Sequence, residues 1–164
     1  MDYSDKDAAV LVIRELSSNT LLLTKRTDFL SDHPGEICFP GGRWDINDKD
    51  LKMTAFREFY EELGFDLTGH VHLEAIAPVI TLKAIKIHPW YGEIAILPSL
   101  VINSEEVDSV IKLPFDSVKD RHRYQTFEIA HGTGVFQTLK FDYAEAFIWG
   151  ATAKIMQQLA QSTS

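Results

Sequence analysis

The amino-acid sequence predicts a mixed α/β fold, and three observations carry that expectation. Two short β-compatible runs, residues 8–13 and 20–25, are separated by Ser17-Ser18-Asn19, which is turn chemistry. From Leu51 to Leu63 the apolar residues recur at helical spacing, and Gly64 follows where a left-handed cap would sit. A second helical period runs over Tyr143–Leu159. The runs at 8–13 and 20–25 therefore read as strand, turn, strand. Residues 28–50 are dense in Gly, Pro and Asp, with a brief apolar stretch at Ile37–Phe39 before Pro40-Gly41-Gly42, and read as a structured loop. Beyond the first helix, residues 72–80 and 93–102 read as strands limited by Pro78, Pro89 and Pro98. Ser104-Glu105-Glu106 opens a short helix-like stretch that Pro114 stops. Residues 124–129 and 135–141 can pair as a hairpin across His131-Gly132-Thr133-Gly134. The last helix docks through Phe147, Ile148, Ala151, Ile155 and Leu159.

The chain has 164 residues, 45% hydrophobic and 24% charged, which is the composition of an ordinary globular domain, and no linker or repeat divides it; one domain over 1–164 is expected. Such a length buries roughly two-thirds of the unfolded surface, so no disulfide or structural zinc is needed. A formal charge of −8 argues against sequence-independent binding to a nucleic-acid backbone, which requires neutralised phosphates. The lone cysteine, Cys38, fits a reducing compartment. The acidic, polar start Met1–Asp7 is unlike a signal peptide, the end Gln161–Ser164 is not a peroxisomal address, and no apolar run approaches the ~20 residues of a membrane span. A cytoplasmic protein without a membrane partner is expected.

The helix at 51–63 poses a chemical question. Glu58, Glu61 and Glu62 at i, i+3 and i+4 fall within an arc of roughly 80°, with Met53, Ala55, Phe56, Phe59, Tyr60 and Leu63 on the opposite side. The acids should line a surface or cleft. Crowded carboxylates near a helix C-terminus oppose both one another and the macrodipole. A solvated charged face with Arg57 and Lys52 nearby is one reading. The other is a hard divalent cation, Mg²⁺ or Mn²⁺, which prefers oxygen ligands and shares them with a phosphate. Gly41 and Gly42 let a backbone approach the helix or a phosphate closely, although such a pair also makes an ordinary turn.

The run Arg57-Glu58-Phe59-Tyr60-Glu61-Glu62-Leu63-Gly64-Phe65 resembles the signature helix of the Nudix hydrolases, Arg-Glu-(apolar)-x-Glu-Glu-x-Gly-(apolar). Upstream the chain carries one extra residue relative to the family pattern, so Gly42 takes the glycine position and Asp48 the acidic one. That irregularity looks like the coenzyme A diphosphatase branch, as do Leu22-Leu23-Thr24-Lys25-Arg26, Gly35-Glu36-Ile37-Cys38-Phe39-Pro40-Gly41-Gly42 and the terminal Ile148-Trp149-Gly150-Ala151-Thr152-Ala153. Ser31 and Thr27 depart from the branch signature, which has Arg and then Ser or Ala there.

The resemblance implies an α/β/α sandwich with a mixed sheet, and metal-dependent addition of water at phosphorus in coenzyme A or acyl-coenzyme A. The products are phosphopantetheine and adenosine 3′,5′-bisphosphate. The alternatives are ADP-ribose, a dinucleotide or a nucleotide sugar as substrate, or a module that binds a nucleotide without cleaving it. By motif position Glu58, Glu61 and Glu62 would hold Mg²⁺ or Mn²⁺. Arg57, Glu61 and Glu106 form the catalytic group, Arg57 by steadying a glutamate and Glu61 or Glu106 as general base. Glu106 with Glu105 also reads as helix N-terminal acid after Ser104. Glu93 is a further candidate to reach the metals. Arg26 and Arg43, with Gly41 and Gly42, are the substrate-binding candidates, the arginines for substrate phosphates; both also read as solvated residues. Trp90, Tyr91 and Phe127 either stack on the substrate or belong to the core, Cys38 reads as a buried inert thiol, and His70 and His72 read as turn and strand residues. By analogy of fold a homodimer is the common assembly.

Overall fold

The computed structural model describes residues 2–163; Met1 and Ser164, the outermost residues of the two polar ends, lie outside them. Strand β1 (Asp7–Glu15) and strand β2 (Thr20–Arg26) run antiparallel. Asn19 closes the turn between them in the left-handed region, φ 51°, and its side-chain oxygen accepts two hydrogen bonds from Arg14. The segment expected as loop contains two short strands, β3 (Ile37–Cys38) on β2 and β4 (Gly41–Arg43) on β1. Helix α1 (Leu51–Leu63) has the expected bounds. Asp50 caps it by accepting from Met53 N–H at 2.8 Å, and Gly64 ends it at φ 73°.

The middle of the chain departs from expectation. Only β5 (Glu74–Ala75) and β6 (Val79–Ile80) form in 72–80, and the long strand is β7 (Lys86–Ile94), upstream of the expected 93–102. Pro89 does not break β7, because its carbonyl, and so also its nitrogen, faces the gap between β5 and β6, where Ile76 N–H donates to Pro89 O at 2.9 Å. A ladder donor is not required there. After Ala95 the chain leaves the sheet, and Leu97 N–H is taken up by the Glu15 carboxylate at 2.6 Å.

Residues 104–114 are not a helix. Asn103 accepts from Glu106 and Val107 N–H groups in a single turn, and β8 (Val107–Pro114) then pairs antiparallel with β2. The cap-like signal is real but one turn long, and the apolar Val107, Val110, Ile111 and Leu113 complete the open edge of β2 instead. Pro114 precedes α2 (Phe115–Lys119), and a 3-10 turn at Arg121–Arg123 follows. Strands β9 (Tyr124–His131) and β10 (Gly134–Tyr143) form the expected hairpin, with His131 opposite Gly134. The final helix is shorter than expected: a turn through Ala144, φ 48°, makes Phe147 and Ile148 part of β11 (Ala146–Trp149), and α3 (Gly150–Ser162) starts at Gly150, φ 63°.

The larger sheet has eight strands, in the order β3-β2-β1-β7-β5, with β4 also on β1, β6 on β7 and β8 on β2. Only β1 and β7 pair in parallel, so the sheet is mixed. Alternate residues of the central strands feed two cores. Ala9, Leu11, Ile13 and Leu22 pack with Phe59 and Leu63 of α1. Val12, Leu21 and Leu23 pack with Phe115, Phe141, Ile155 and Met156 on the other side. Helices thus cover both faces, the layered α/β/α arrangement. Strands buried on both faces read as continuous apolar runs, which is why Leu21-Leu22-Leu23 shows no alternation.

Candidate active site

Strand β4 lies against the acidic side of α1, and glycine makes the approach possible. A Cβ at Gly42 would collide with the carboxylate carbon and both oxygens of Glu58, and one at Gly41 with the Ala9 carbonyl and Val10. Gly41 N–H donates to Glu62 Oε1 at 3.3 Å. Of the two readings of this glycine pair, close approach to the helix is the one realised.

The acids do not all face solvent. Glu62 is 5% exposed, whereas the apolar-stripe residues Met53 and Tyr60 are exposed. Position 62 borders the stripe one turn beyond Phe59, and β4 covers it. Burial, together with the neighbouring Glu58 and Glu106 charges, pushes the Glu62 carboxyl up to about 8, against the Gly41 hydrogen bond. Burial likewise raises Glu58, with Glu61 and Glu106 adding to the effect and Arg57 opposing it.

Arg57 organises the rim. Its Nε and Nη2 donate to the two oxygens of Asp48 at 2.8 and 2.9 Å, its Nη1 to Glu58 Oε1 at 3.0 Å and to Glu61 Oε1 at 3.1 Å, and its Nη2 to the Arg43 carbonyl at 3.1 Å. Asp48 also accepts from Asp45 N–H and Thr54 Oγ1. Although burial opposes it, the Arg57, Asp45 and Thr54 hydrogen bonds hold Asp48 below the usual carboxylate range. Its oxygens are committed to these donors, so Asp48 steadies Arg57 from behind the acid cluster.

A cavity of about 500 Å³ brings together Glu58, Glu62, Gly41, Gly42, Arg26, Arg43 and Glu106. The second reading of Glu106, a helix N-terminal acid, falls with the helix itself. The backbone ties its segment to α1: Val101 N–H donates to Leu63 O at 2.8 Å and Asn103 N–H to Glu62 O at 2.9 Å. Arg57 and Glu61 stand outside the cavity wall, Glu61 half-exposed on Arg57. Arg26 donates to the Asp32 carbonyl and Arg43 to the Asp5 carbonyl, so each cation is anchored at the cavity through a backbone oxygen, with no close ion pair to a carboxylate among the described residues.

Other candidates lie elsewhere. Glu93 is held by Arg14 at 3.3 Å and by Tyr91 Oη at 2.9 Å, away from the cavity. Trp90 packs in the α1 core under Lys52, and Tyr91 in the opposite core. Phe127 is not part of the cavity lining; its ring sits edge-on to Trp149, which is, with centroids 6.2 Å apart. Burial pushes the Cys38 thiol up to about 11, leaving it protonated and inert. His70 packs on Phe65. Lys83, Lys154, His131, Thr138 and Trp149 also line the cavity and have no spacing signal that would single them out in the sequence.

The carboxylates do not converge as a closed cage; among the described residues no three His, Cys, Asp or Glu side chains gather around one point. The donor set nonetheless fits a hard divalent cation. Glu58 and Glu62 supply only oxygen, and their mutual repulsion, to which the Glu106 charge adds, is what a cation beside them would relieve.

Comparison with known proteins agrees with this arrangement. The NUDIX domain model matches residues 5–130. A Nudix hydrolase of Yersinia pestis, NudL, whose own activity is uncharacterised, is 34% identical over 163 residues, covering 98% of this chain and 81% of the relative. Among solved structures, the NUDIX domain of Shewanella oneidensis NrtR, complexed with ADP ribose, superposes with TM-score 0.61 at 16% identity over 99% of this chain and 91% of that one. Deinococcus radiodurans DR0079 superposes with TM-score 0.63 at 13% identity, over 93% and 81%. The Caenorhabditis elegans Ap4A hydrolase gives 0.55 at 19% identity, over 66% and 80%. Among the described residues no helix is long and apolar enough to cross a membrane. The chain belongs to the Nudix hydrolases, pyrophosphohydrolases that generally use a divalent cation and act on nucleoside diphosphate derivatives.

Proposed function

We propose that this enzyme, acting as one cytoplasmic domain over 1–164, hydrolyses the diphosphate linkage of coenzyme A or acyl-coenzyme A. The products are phosphopantetheine, or its acyl derivative, and adenosine 3′,5′-bisphosphate. The observation that supports this reading is that segments bearing the branch resemblance line the same cavity as the helix acids: Arg26, Glu36, Cys38, Phe39 and Gly150 stand with Glu58 and Glu62. The cavity wall between them is largely apolar, including Ile80, Ile85, Ile87 and Ile129, a surface suited to a pantetheine arm.

Glu58 and Glu62, with Glu61 from the rim, would hold Mg²⁺ or Mn²⁺, which when bound neutralises the diphosphate oxygens and favours water as nucleophile. Glu106 is the general base: it takes a proton from the attacking water as the new P–O bond forms and the anhydride P–O bond breaks. Arg57 positions Glu58 and Glu61, and Arg26 and Arg43 hold phosphate oxygens. A second reading, ADP-ribose or a dinucleotide as substrate, draws on the ligand of the Shewanella domain and the name of the nematode enzyme.

A hydrolysis panel tests this. Coenzyme A, dephospho-coenzyme A, ADP-ribose and a nucleoside triphosphate are compared with Mg²⁺ or Mn²⁺ by product mass, with chelator and Glu62→Gln controls. Preferential cleavage of coenzyme A is expected. Preference for ADP-ribose removes the substrate assignment, and cleavage of none of them leaves a nucleotide-binding module.

A further inference from the structure

Arg26 takes its aim from a single backbone group. The guanidinium at the end of β2 donates through Nε and Nη2 to the Asp32 carbonyl, at 3.3 and 3.1 Å, so a shift of that carbonyl shifts the cation with it. Asp32 lies in the loop between β2 and β3, and the residue after it, His33, is held at φ 51°. A left-handed residue that carries a side chain persists only where surrounding contacts hold it.

Those contacts converge on the Asp32 carboxylate. Its Oδ1 lies 3.4 Å from Lys83 Nζ and 3.3 Å from His33 Nε2, and His33 Nδ1 lies 3.2 Å from Glu36 Oε2. Although burial opposes it, His33, Lys83 and Arg26 hold Asp32 below the usual carboxylate range. Lys83 comes from a distant stretch of chain, the turn between β6 and β7. Hydrogen bonds brace that turn: Ala84 N–H donates to Thr81 O at 2.9 Å, Thr81 N–H to Ile85 O at 2.9 Å and Ile85 N–H to Thr81 Oγ1 at 3.1 Å. Arg26, Asp32 and Lys83 all line the cavity, so the Asp32–Lys83 pair ties the loop that aims Arg26 to a braced turn on the same cavity. The Lys83 and Asp32 side chains are 58% and 53% exposed, so the pair adds little to overall stability and its effect is local.

We infer that Asp32, anchored by Lys83, is a positioning residue that aims the Arg26 guanidinium at the substrate diphosphate. This rests on Arg26 holding phosphate oxygens and adds residues that act through it. The sign of one substitution separates positioning from bulk charge. Removing a negative charge from an anion-binding cavity tightens binding if charge alone decides. If Asp32 aims Arg26, the same removal weakens it.

Titration calorimetry of the Mg²⁺-loaded enzyme with α,β-methylene-ADP, whose P–C–P bridge resists hydrolysis, tests this without turnover. Asp32→Ala and Lys83→Met are each expected to weaken binding about three- to fivefold, the scale of one exposed ion pair, and Lys83→Arg to leave it within about twofold. Arg26→Met should weaken it about tenfold or more, and adding Asp32→Ala to Arg26→Met should change nothing further, because the two act as one unit. Melting temperatures report that each variant is folded. Unchanged or tighter binding by Asp32→Ala or by Lys83→Met overturns the positioning role, as does a full Asp32→Ala loss in the Arg26→Met background. In each of those cases a loss in Arg26→Met alone leaves the phosphate reading of Arg26 standing. Undiminished binding by Arg26→Met, or a parent enzyme that does not bind the probe, overturns that reading and the inference with it. The expected pattern in an enzyme that fails to cleave coenzyme A supports the positioning role and overturns the coenzyme A reading alone.

Discussion

Arg57 and Asp48 meet fork to fork, Nε on Oδ1 at 2.8 Å and Nη2 on Oδ2 at 2.9 Å, and the free Nη1 of the same guanidinium reaches Glu58 and Glu61. A lysine keeps the charge but cannot hold Asp48 at two points while reaching the helix acids. Arg57→Lys is therefore expected to lower kcat about 10–100-fold, the usual cost of losing a group that orients metal ligands, and to raise the Mg²⁺ concentration needed for half-maximal rate. Steady-state kinetics across a Mg²⁺ series checks this; an unchanged metal requirement removes the positioning role.

The two adjacent glycines separate function from stability. Gly42→Ala puts a methyl group into the Glu58 carboxylate, a flexible side chain that can move away, so activity should fall at least tenfold with little change in Tm. Gly41→Ala puts it into the Ala9 carbonyl and Val10 of the central strand, which cannot yield, and should cost about 1–3 kcal/mol of stability. Thermal unfolding and initial rates of the two variants give the comparison.

Glu62→Gln should lower kcat by about two orders of magnitude or more without lowering the Tm of the metal-free protein. The amide oxygen can still accept from Gly41 N–H, and the amide, like the largely protonated carboxyl it replaces at neutral pH, places no charge beside Glu58. The Tm increase that Mg²⁺ gives the parent enzyme should shrink in the variant, and that increase should vanish in both with chelator. Calorimetry with and without Mg²⁺ distinguishes a lost ligand from a damaged fold.

Glu15 is a structural acid with the opposite tendency. Hydrogen bonds from Ser18, Leu97 N–H and Lys112 lower it from its ordinary 4.5 to about 2. The folded state therefore holds the proton less tightly than the unfolded chain. The contribution is fully present above pH 4.5 and is lost as pH falls to about 2; it amounts to something on the order of 3 kcal/mol. Urea unfolding between pH 7 and pH 2 should show this acid-side loss in the parent and a flatter profile in Glu15→Gln.

The helix acids were legible because α1 is a local object: its cap Asp50, its apolar period and Gly64 lie within fifteen residues of one another, and so do Arg57, Glu58, Glu61 and Glu62. The burial of Glu62 was not legible, because it depends on β4 crossing the helix from outside that window. The same limit explains β8. Its first residues carry a turn signal, and only the open edge of β2, some eighty residues earlier, makes them a strand. Pro89 misled for a related reason, since whether a proline interrupts a strand depends on which side its nitrogen faces. Thr138 and Lys154 reach the cavity through the packing of β10 and α3, a contact that no spacing within either segment announces.

The backbone hydrogen bonds from Val101 and Asn103 to the last turn of α1 join Glu62 and the segment leading to Glu106 into one mechanical unit. Neither side can fray alone without leaving the Glu62 and Leu63 carbonyls, or the Val101 and Asn103 N–H groups, unsatisfied. Amide exchange at Val101 and Asn103 should then keep pace with the end of the helix, rising and falling with it as conditions change. The acids and the base would be assembled or dismantled together, so a partly opened molecule would be inactive rather than slow.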